Sequence, residues 1–206
     1  MSTTTAPSPT VEKATDFPAA RKAMIDSQLR TSGVNDAFVL AAMGRVARED
    51  HVPATMRGAA YIDRSIRLDK GGAIAPPLFY GRLLEEANVS VHDDVLVVDN
   101  GSGYLPALIE ETVASVDVVS PAEALKSSRK KARYSLLLVD GAAEEFPDVL
   151  AKRLKDDARI VTGLVERGVT RLATGRLVNG KPSFMSLAEE GIPVIGEFAA
   201  KREWKF

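Results

Sequence analysis

Val95-Leu96-Val97-Val98-Asp99-Asn100-Gly101-Ser102-Gly103-Tyr104 is the stretch whose reading decides the fold. Four apolar, mostly β-branched residues predict a buried strand. A tight turn with two glycines follows, and the apolar run Leu105 to Ile109 can open a helix. Strand, glycine turn and helix bring backbone N–H groups and a helix N-terminus up to a nucleotide-like ligand in α/β proteins. A Gly-x-Gly after a strand is also a common plain turn, so the neighbouring segments carry the decision.

On the C-terminal side, Val116-Asp117-Val118-Val119 predicts a second strand. Ser120-Pro121-Ala122-Glu123 then caps a helix, with Ser120 as N-cap and Glu123 at the capping-box position. Lys126 to Arg133 is a basic helical run, read as a solvated face. Ser135 to Val139 is a buried strand ended by Asp140-Gly141, Pro147 to Leu154 a helix, and Ala158 to Val165 a further strand. Val169 to Val178 and Pro182 to Leu187, joined by Asn179-Gly180, form a hairpin with a type I′ turn. Phe198, Trp204 and Phe206 are expected to anchor a last strand. Strands alternating with helices and closing in a hairpin predict an α/β fold whose sheet is mostly parallel with an antiparallel edge.

On the N-terminal side, residues 1–15 are rich in Thr, Ser and Pro and read as a disordered tail, leaving 16–206 as a single domain. Within it, 16–90 is expected to form a helical cap and loop, and 91–206 the sheet. Thr15 or Asp16 caps a helix with Pro18 in its first turn, Met24, Ile25, Gln28 and Leu29 at helical spacing, and Gly33 as its stop. Asn35 or Asp36 caps a second helix. The acids and His51 in Val46 to Pro53 read as a solvated turn. Ser65 to Leu68 is extended, and Lys70-Gly71-Gly72-Ala73-Ile74-Ala75-Pro76-Pro77 is a loop placed to line a site. Pro77 starts a helix with Leu78, Leu83, Leu84 and Ala87 as its stripe.

Composition narrows the functional classes. The 206-residue chain is 45% hydrophobic and 27% charged, with a formal net charge of −1. That balance gives no electrostatic case for nucleic acid or an anionic membrane as partner. Without cysteine there is no thiolate chemistry or zinc–sulfur site, and His51 and His92 are too few for a histidine metal centre. The N-terminus has no hydrophobic signal core, and the expected setting is cytoplasmic.

Taken together, several segments resemble one family in order. Met24 to Arg30 is similar to its first helix. Val39-Leu40-Ala41-Ala42-Met43 with Val46 to Pro53 resembles "V-x-x-A-M … V-P-R-E-x-F-V-P", and Ala60-Tyr61-Ile62-Asp63 resembles "A-Y-x-D". Ala73 to Pro77 stands where the family has "T-I-S-Q-P", Val95 to Tyr104 where it has "V-L-E-I-G-T-G-S-G-Y", and Ala142 to Pro147 where it has "A-A-x-E-x-I-P". Over roughly residues 17 to 165 the chain resembles protein-L-isoaspartate O-methyltransferases, which repair isoaspartyl residues of damaged proteins with S-adenosylmethionine. The resemblance implies a Rossmann-like methyltransferase sheet. It also implies a cofactor turn made of Gly101, Ser102, Gly103 and Tyr104, with Asp99 near the cofactor's amino group. Ser120 or Glu123 would stand near the ribose, and Ile74 and Ala75 on the substrate side.

The departures fall at the chemistry. Ala75 replaces the family serine and has no hydroxyl. Asp99 replaces the first glycine of the turn, and Val97 replaces the acid inside the strand. No acid closes the second strand. Only residues 120–134 separate it from the next strand, so the passage with both predicted strands spans only residues 116–139, fewer than the roughly 30 that a βαβ unit takes including its strands, and the sheet is expected to be one strand short, with one wall of the cofactor pocket missing. The expectation is a homologue with weakened or lost cofactor binding and catalysis, serving as a binding module for an unknown protein partner. The alternative is an active isoaspartyl methyltransferase. A nicotinamide dinucleotide enzyme is disfavoured, because Pro106 stands where a third glycine belongs.

Overall fold

The computed structural model describes residues 15–127 and 132–200. The N-terminal layer begins with α1 (Phe17–Met24), capped by the Asp16 carboxylate, which accepts from the Ala19 N–H at 3.1 Å. The helix runs on through one π turn and one 3₁₀ turn to Gly33, which takes the left-handed φ of +91° that ends it. Asp36 caps α2 (Ala37–Arg45), accepting from Val39 N–H at 3.0 Å. A two-stranded hairpin, β1 (Ile66–Arg67) with β2 (Ala73–Ile74), then leads into α3 (Pro77–Ala87).

The remaining elements form a six-stranded sheet and its connections: β3 (Asp94–Val98), α4 (Tyr104–Ile109), β4 (Ser115–Val119), α5 (Pro121–Ala124), β5 (Tyr134–Ala143), α6 (Asp148–Ala151), β6 (Leu154–Glu166), β7 (Val169–Val178) and β8 (Lys181–Glu189). The order is β4-β3-β5-β6-β7-β8. The first four strands are parallel, and β7 and β8 are antiparallel. This is the Rossmann-like methyltransferase arrangement with a C-terminal hairpin that the sequence implies. Among the described residues β4 has β3 as its single neighbour, so the sheet stops where the short 120–134 segment left no room for another strand. Because β4 and β5 lie on opposite sides of β3, the turn after β3 sits at the topological switch point, where α/β sheets hold ligands.

Alternation along the parallel strands builds two cores. Val95, Val97, Leu136 and Leu138 face the N-terminal helices, α3 and α4. Leu96, Val98, Leu137 and Val139 face the other side together with Ile160 of β6, where Leu150 and Phe198 pack on them. Both faces are therefore dry, which is why these strands read as unbroken apolar runs.

Several expectations need correction. The helix expected over Pro147 to Leu154 is a single turn, because Leu154 is drawn into β6. The extended Ser65 to Leu68 pairs over two residues only. The basic helix over Lys126 to Arg133 is not formed in the described part: α5 ends at Ala124 and Arg133 stands outside any helix, while 128–131 lie outside the described residues. Phe198 lies in a 3₁₀ turn (Gly196–Phe198) rather than a strand. It belongs to a strap in which Ile195 N–H donates to Ala142 O at 2.9 Å and Glu145 N–H to Phe198 O at 3.0 Å. Trp204, Phe206 and the expected tail up to Ala14 lie outside the described residues, and Thr15 precedes α1 without regular structure. Val46 to Pro53 is not a solvated turn, since Arg48 and Glu49 are buried.

The strap closes a face covered by helices of four residues each, so Phe198 carries much of its burial. Phe198→Ala is expected to cost about 3–5 kcal/mol, read as a lowered midpoint in chemical denaturation with an unchanged slope.

Candidate functional site

A cleft of about 780 Å³ opens at the C-terminal ends of β3 and β4. Its walls include Asp99, Asn100 and Gly101 of the turn, Ser120, the β1–β2 hairpin tip at Lys70 to Gly72, and Pro193 of the strap. Gly101 and Gly103 adopt φ of +99° and +66°, which a side chain would strain. Gly72 is required for a different reason: a Cβ there would lie 2.0 Å from the Asn100 carbonyl oxygen, so the hairpin rests directly on the turn.

Asp99 organises this turn from within. Its backbone N–H continues the β3–β4 ladder by donating to Val119 O at 3.0 Å. Its carboxylate accepts from Gly101 N–H at 3.0 Å and Gly103 N–H at 2.9 Å. Burial pushes its carboxyl above the ordinary aspartate range, although those two N–H groups and His51 favour the charged form. Ser102 turns inward: its hydroxyl accepts from Tyr104 N–H at 3.1 Å and donates to Asp140 at 3.3 Å. The Ser102 carbonyl lies 2.9 Å from His51 Nδ1.

The other sequence-derived candidates separate into two groups. Ser120 lines the cleft, but its N–H and hydroxyl both donate to one Glu123 oxygen, at 3.0 and 2.9 Å, in a complete capping box. That pair of donors holds the Glu123 carboxyl below its usual range and folds it back onto the helix start. Tyr104, Ile74 and Ala75, expected to face cofactor or substrate, are instead buried. Ile74 and Ala75 are drawn inward because the Ala75 carbonyl accepts from Arg48 Nη2 at 2.6 Å and its N–H donates to Tyr80 Oη at 3.1 Å. Tyr104 packs edge-on against Tyr80, with ring centroids 5.0 Å apart.

Beneath the turn lies a buried polar cluster that sequence reading missed. The Arg48 guanidinium sits 5.5 and 5.1 Å from the ring centroids of Tyr80 and Tyr104 and donates through Nε to Ala60 O at 2.7 Å. Arg48 Nη1 and Tyr104 Oη are buried without partners. Tyr80 Oη donates to Asp140 at 2.7 Å. Burial pushes the Asp140 carboxyl up to about 7, against the opposing pull of Tyr80, Ser102 and Arg48. On the outer flank Glu49 accepts from Arg21 at 2.9 Å and from Tyr61 Oη. Burial works to raise its carboxyl, but those partners hold it below its usual range. One signal was available in the sequence: Tyr80 falls in phase with Leu83, Leu84 and Ala87 on the apolar stripe of α3, hence inward. Among the described residues no three His, Asp or Glu side chains gather as a metal site, and no helix is long and apolar enough to cross a membrane.

Arg48→Met would leave the Ala60 and Ala75 carbonyls without their donors. It is expected to cost about 2–4 kcal/mol and to loosen the 73–76 loop, read by thermal unfolding and by faster amide exchange at Ile74 and Ala75.

The family model for protein-L-isoaspartate(D-aspartate) O-methyltransferase matches residues 19–127. A relative from Methanoculleus marisnigri, named protein-L-isoaspartate O-methyltransferase, is 27% identical over 89% of this chain and 94% of its own. Another of that name, from Koribacter versatilis, is 30% identical over 71% of this chain and 77% of its own. Among solved structures, the chain is similar to a protein-L-isoaspartate O-methyltransferase from Plasmodium falciparum in complex with S-adenosyl-L-homocysteine. That likeness has a TM-score of 0.67 at 18% identity, covering 89% of this chain and 99% of the other, and carries the fold alone. The family model spans more than half of the sequence, from α1 to the end of α5, and includes the glycine turn: the chain belongs to the protein-L-isoaspartate(D-aspartate) O-methyltransferase family.

Proposed function

We propose that this chain is a family member with weakened S-adenosylmethionine binding that serves as a binding or regulatory module toward a protein partner. The observation that carries the reading is the Asp99 carboxylate, which accepts from the N–H groups of Gly103 and of the cleft-lining Gly101, so that the turn meets its own donors internally. Other features support it. Ala75 is buried and has no hydroxyl, Val97 is an apolar core residue, and the Ser120 hydroxyl is committed to the capping box. Each hydrogen bond denied to a buried ligand costs on the order of 1–3 kcal/mol, so two or three denied contacts lower affinity by about a thousandfold. The donor set therefore fits S-adenosylmethionine poorly. The helical region before residue 90 and the sheet act as one domain in this reading, since Arg48 and Tyr80 from the first converge on Asp140 from the second. The proposed setting is the cytoplasm, on composition.

A second reading, active methylation of isoaspartyl carboxylates, is favoured by one observation: the cleft at the switch point has room for a nucleoside-sized ligand and is walled by Asp99, Gly101 and Ser120. Calorimetric titration with S-adenosylmethionine and S-adenosylhomocysteine separates the two. The module reading predicts no saturation below about millimolar ligand; a micromolar dissociation constant with methyl transfer to an isoaspartyl peptide would overturn it.

Asp99→Gly frees both N–H groups and is expected to tighten S-adenosylhomocysteine binding by about tenfold or more. Unchanged affinity in a folded variant would remove Asp99 as the cause.

A further inference from the structure

Asp140 is a fully buried carboxylate at the C-terminal end of β5 to which neither reading gives a task. Through one hydroxyl each it reaches the glycine turn and the loop before α3. Its Oδ1 accepts from Tyr80 Oη at 2.7 Å, and the same Tyr80 hydroxyl accepts the Ala75 N–H. Its Oδ2 accepts from Ser102 Oγ at 3.3 Å, and that hydroxyl accepts the Tyr104 N–H. Each hydroxyl has a single proton, and both protons are committed to Asp140. We propose that Asp140 is a positioning residue for the candidate site, holding the glycine turn through Ser102 and the 73–76 loop through Tyr80 as long as its carboxylate accepts from both hydroxyls.

The consequence is a proton-dependent turn. A protonated Asp140 carries a hydrogen on one oxygen, so it can no longer accept on equal terms from both hydroxyls, and one hydroxyl must redirect its own proton. The longer of the two bonds goes to Ser102, so the change falls on the turn rather than on α3. The charged and titratable groups around Asp140 come from four elements. Arg48, between α2 and β1, favours the ionised form, whereas Asp99 on the turn opposes it. Tyr80 of α3 donates to the carboxylate, and Tyr104 of α4 packs edge-on against Tyr80. His51 touches Ser102 from the opposite side, through the carbonyl, and is the competing explanation for any proton effect on the turn. Burial holds the Asp140 carboxyl up at about 7, so the change of state falls near neutrality.

This inference concerns the turn without ligand and does not rest on the cofactor reading. The test is an NMR titration of the ligand-free protein from about pH 5 to about pH 9, following the Asp140 carboxyl carbon and the amides of Gly103 and Tyr104. One shared midpoint near 7 is the expected result. Asp140→Asn is expected to abolish the amide transition. Ser102→Ala, which removes only an inward hydroxyl, is expected to leave the Asp140 titration in place while uncoupling the amides from it. His51→Gln is expected to leave the transition intact. The proposal fails if the amides titrate unchanged in Asp140→Asn or Ser102→Ala, if His51→Gln removes the transition, or if Asp140 shows no midpoint in the range.

Discussion

The buried guanidinium of Arg48 is the constraint on which the rest of the site depends. It leaves the segment after α2 and ends between the rings of Tyr80 and Tyr104, tied to the carbonyls of Ala60 and Ala75. One side chain thus connects the N-terminal layer, the loop before α3 and the first turn of α4. A buried cation is tolerated only where donors and compensating charge are supplied, and here the compensation comes from carbonyl oxygens, two aromatic faces and the Asp140 carboxylate across Tyr80. The loop that carries Ala75 is consequently a core element whose backbone is fixed on both sides, rather than a mobile rim of the cleft.

The short passage between β4 and β5 shapes the other half of the molecule. It leaves β4 at the sheet edge with Val118 exposed, and it leaves the second sheet face to two single-turn helices. The strap around Phe198 compensates by pairing with the end of β5 and filling the gap over Leu137, Val139 and Ile160. The same strap contributes Pro193 and Val194 to the cleft, so the segment that completes the core also narrows the site. Core and cleft are coupled through one piece of chain.

Asp99 shows how one carboxylate organises a glycine turn. It satisfies the Gly101 and Gly103 N–H groups within the turn, which a glycine could not do. The turn gains rigidity from its own side chain. Ser120 and Glu123 repeat the pattern at the end of β4, where a capping box satisfies the helix start and engages both side chains with each other.

By itself the sequence determined the alternation of strands and helices, the mostly parallel sheet with its C-terminal hairpin, the cap at Ser120, the stop at Gly33 and the Asn179-Gly180 turn, and it narrowed the first two caps to Thr15 or Asp16 and to Asn35 or Asp36. These follow from local rules: apolar periodicity, backbone preferences of glycine and asparagine, and side chains that reach their own backbone within three residues. The glycine turn and the short passage after β4 were legible for the same reason, as spacing within one segment. Tertiary structure alone decided that Arg48 and Glu49 are buried, that Ile74, Ala75 and Tyr104 face inward, and that Asp140 meets the hydroxyls of Tyr80 and Ser102. Those outcomes depend on partners far apart in the chain, such as Arg48 with Ala75 and Tyr80 with Asp140. No local pattern states whether a charged residue will meet solvent or a distant hydroxyl; the packing of the helical layer on the sheet settles it.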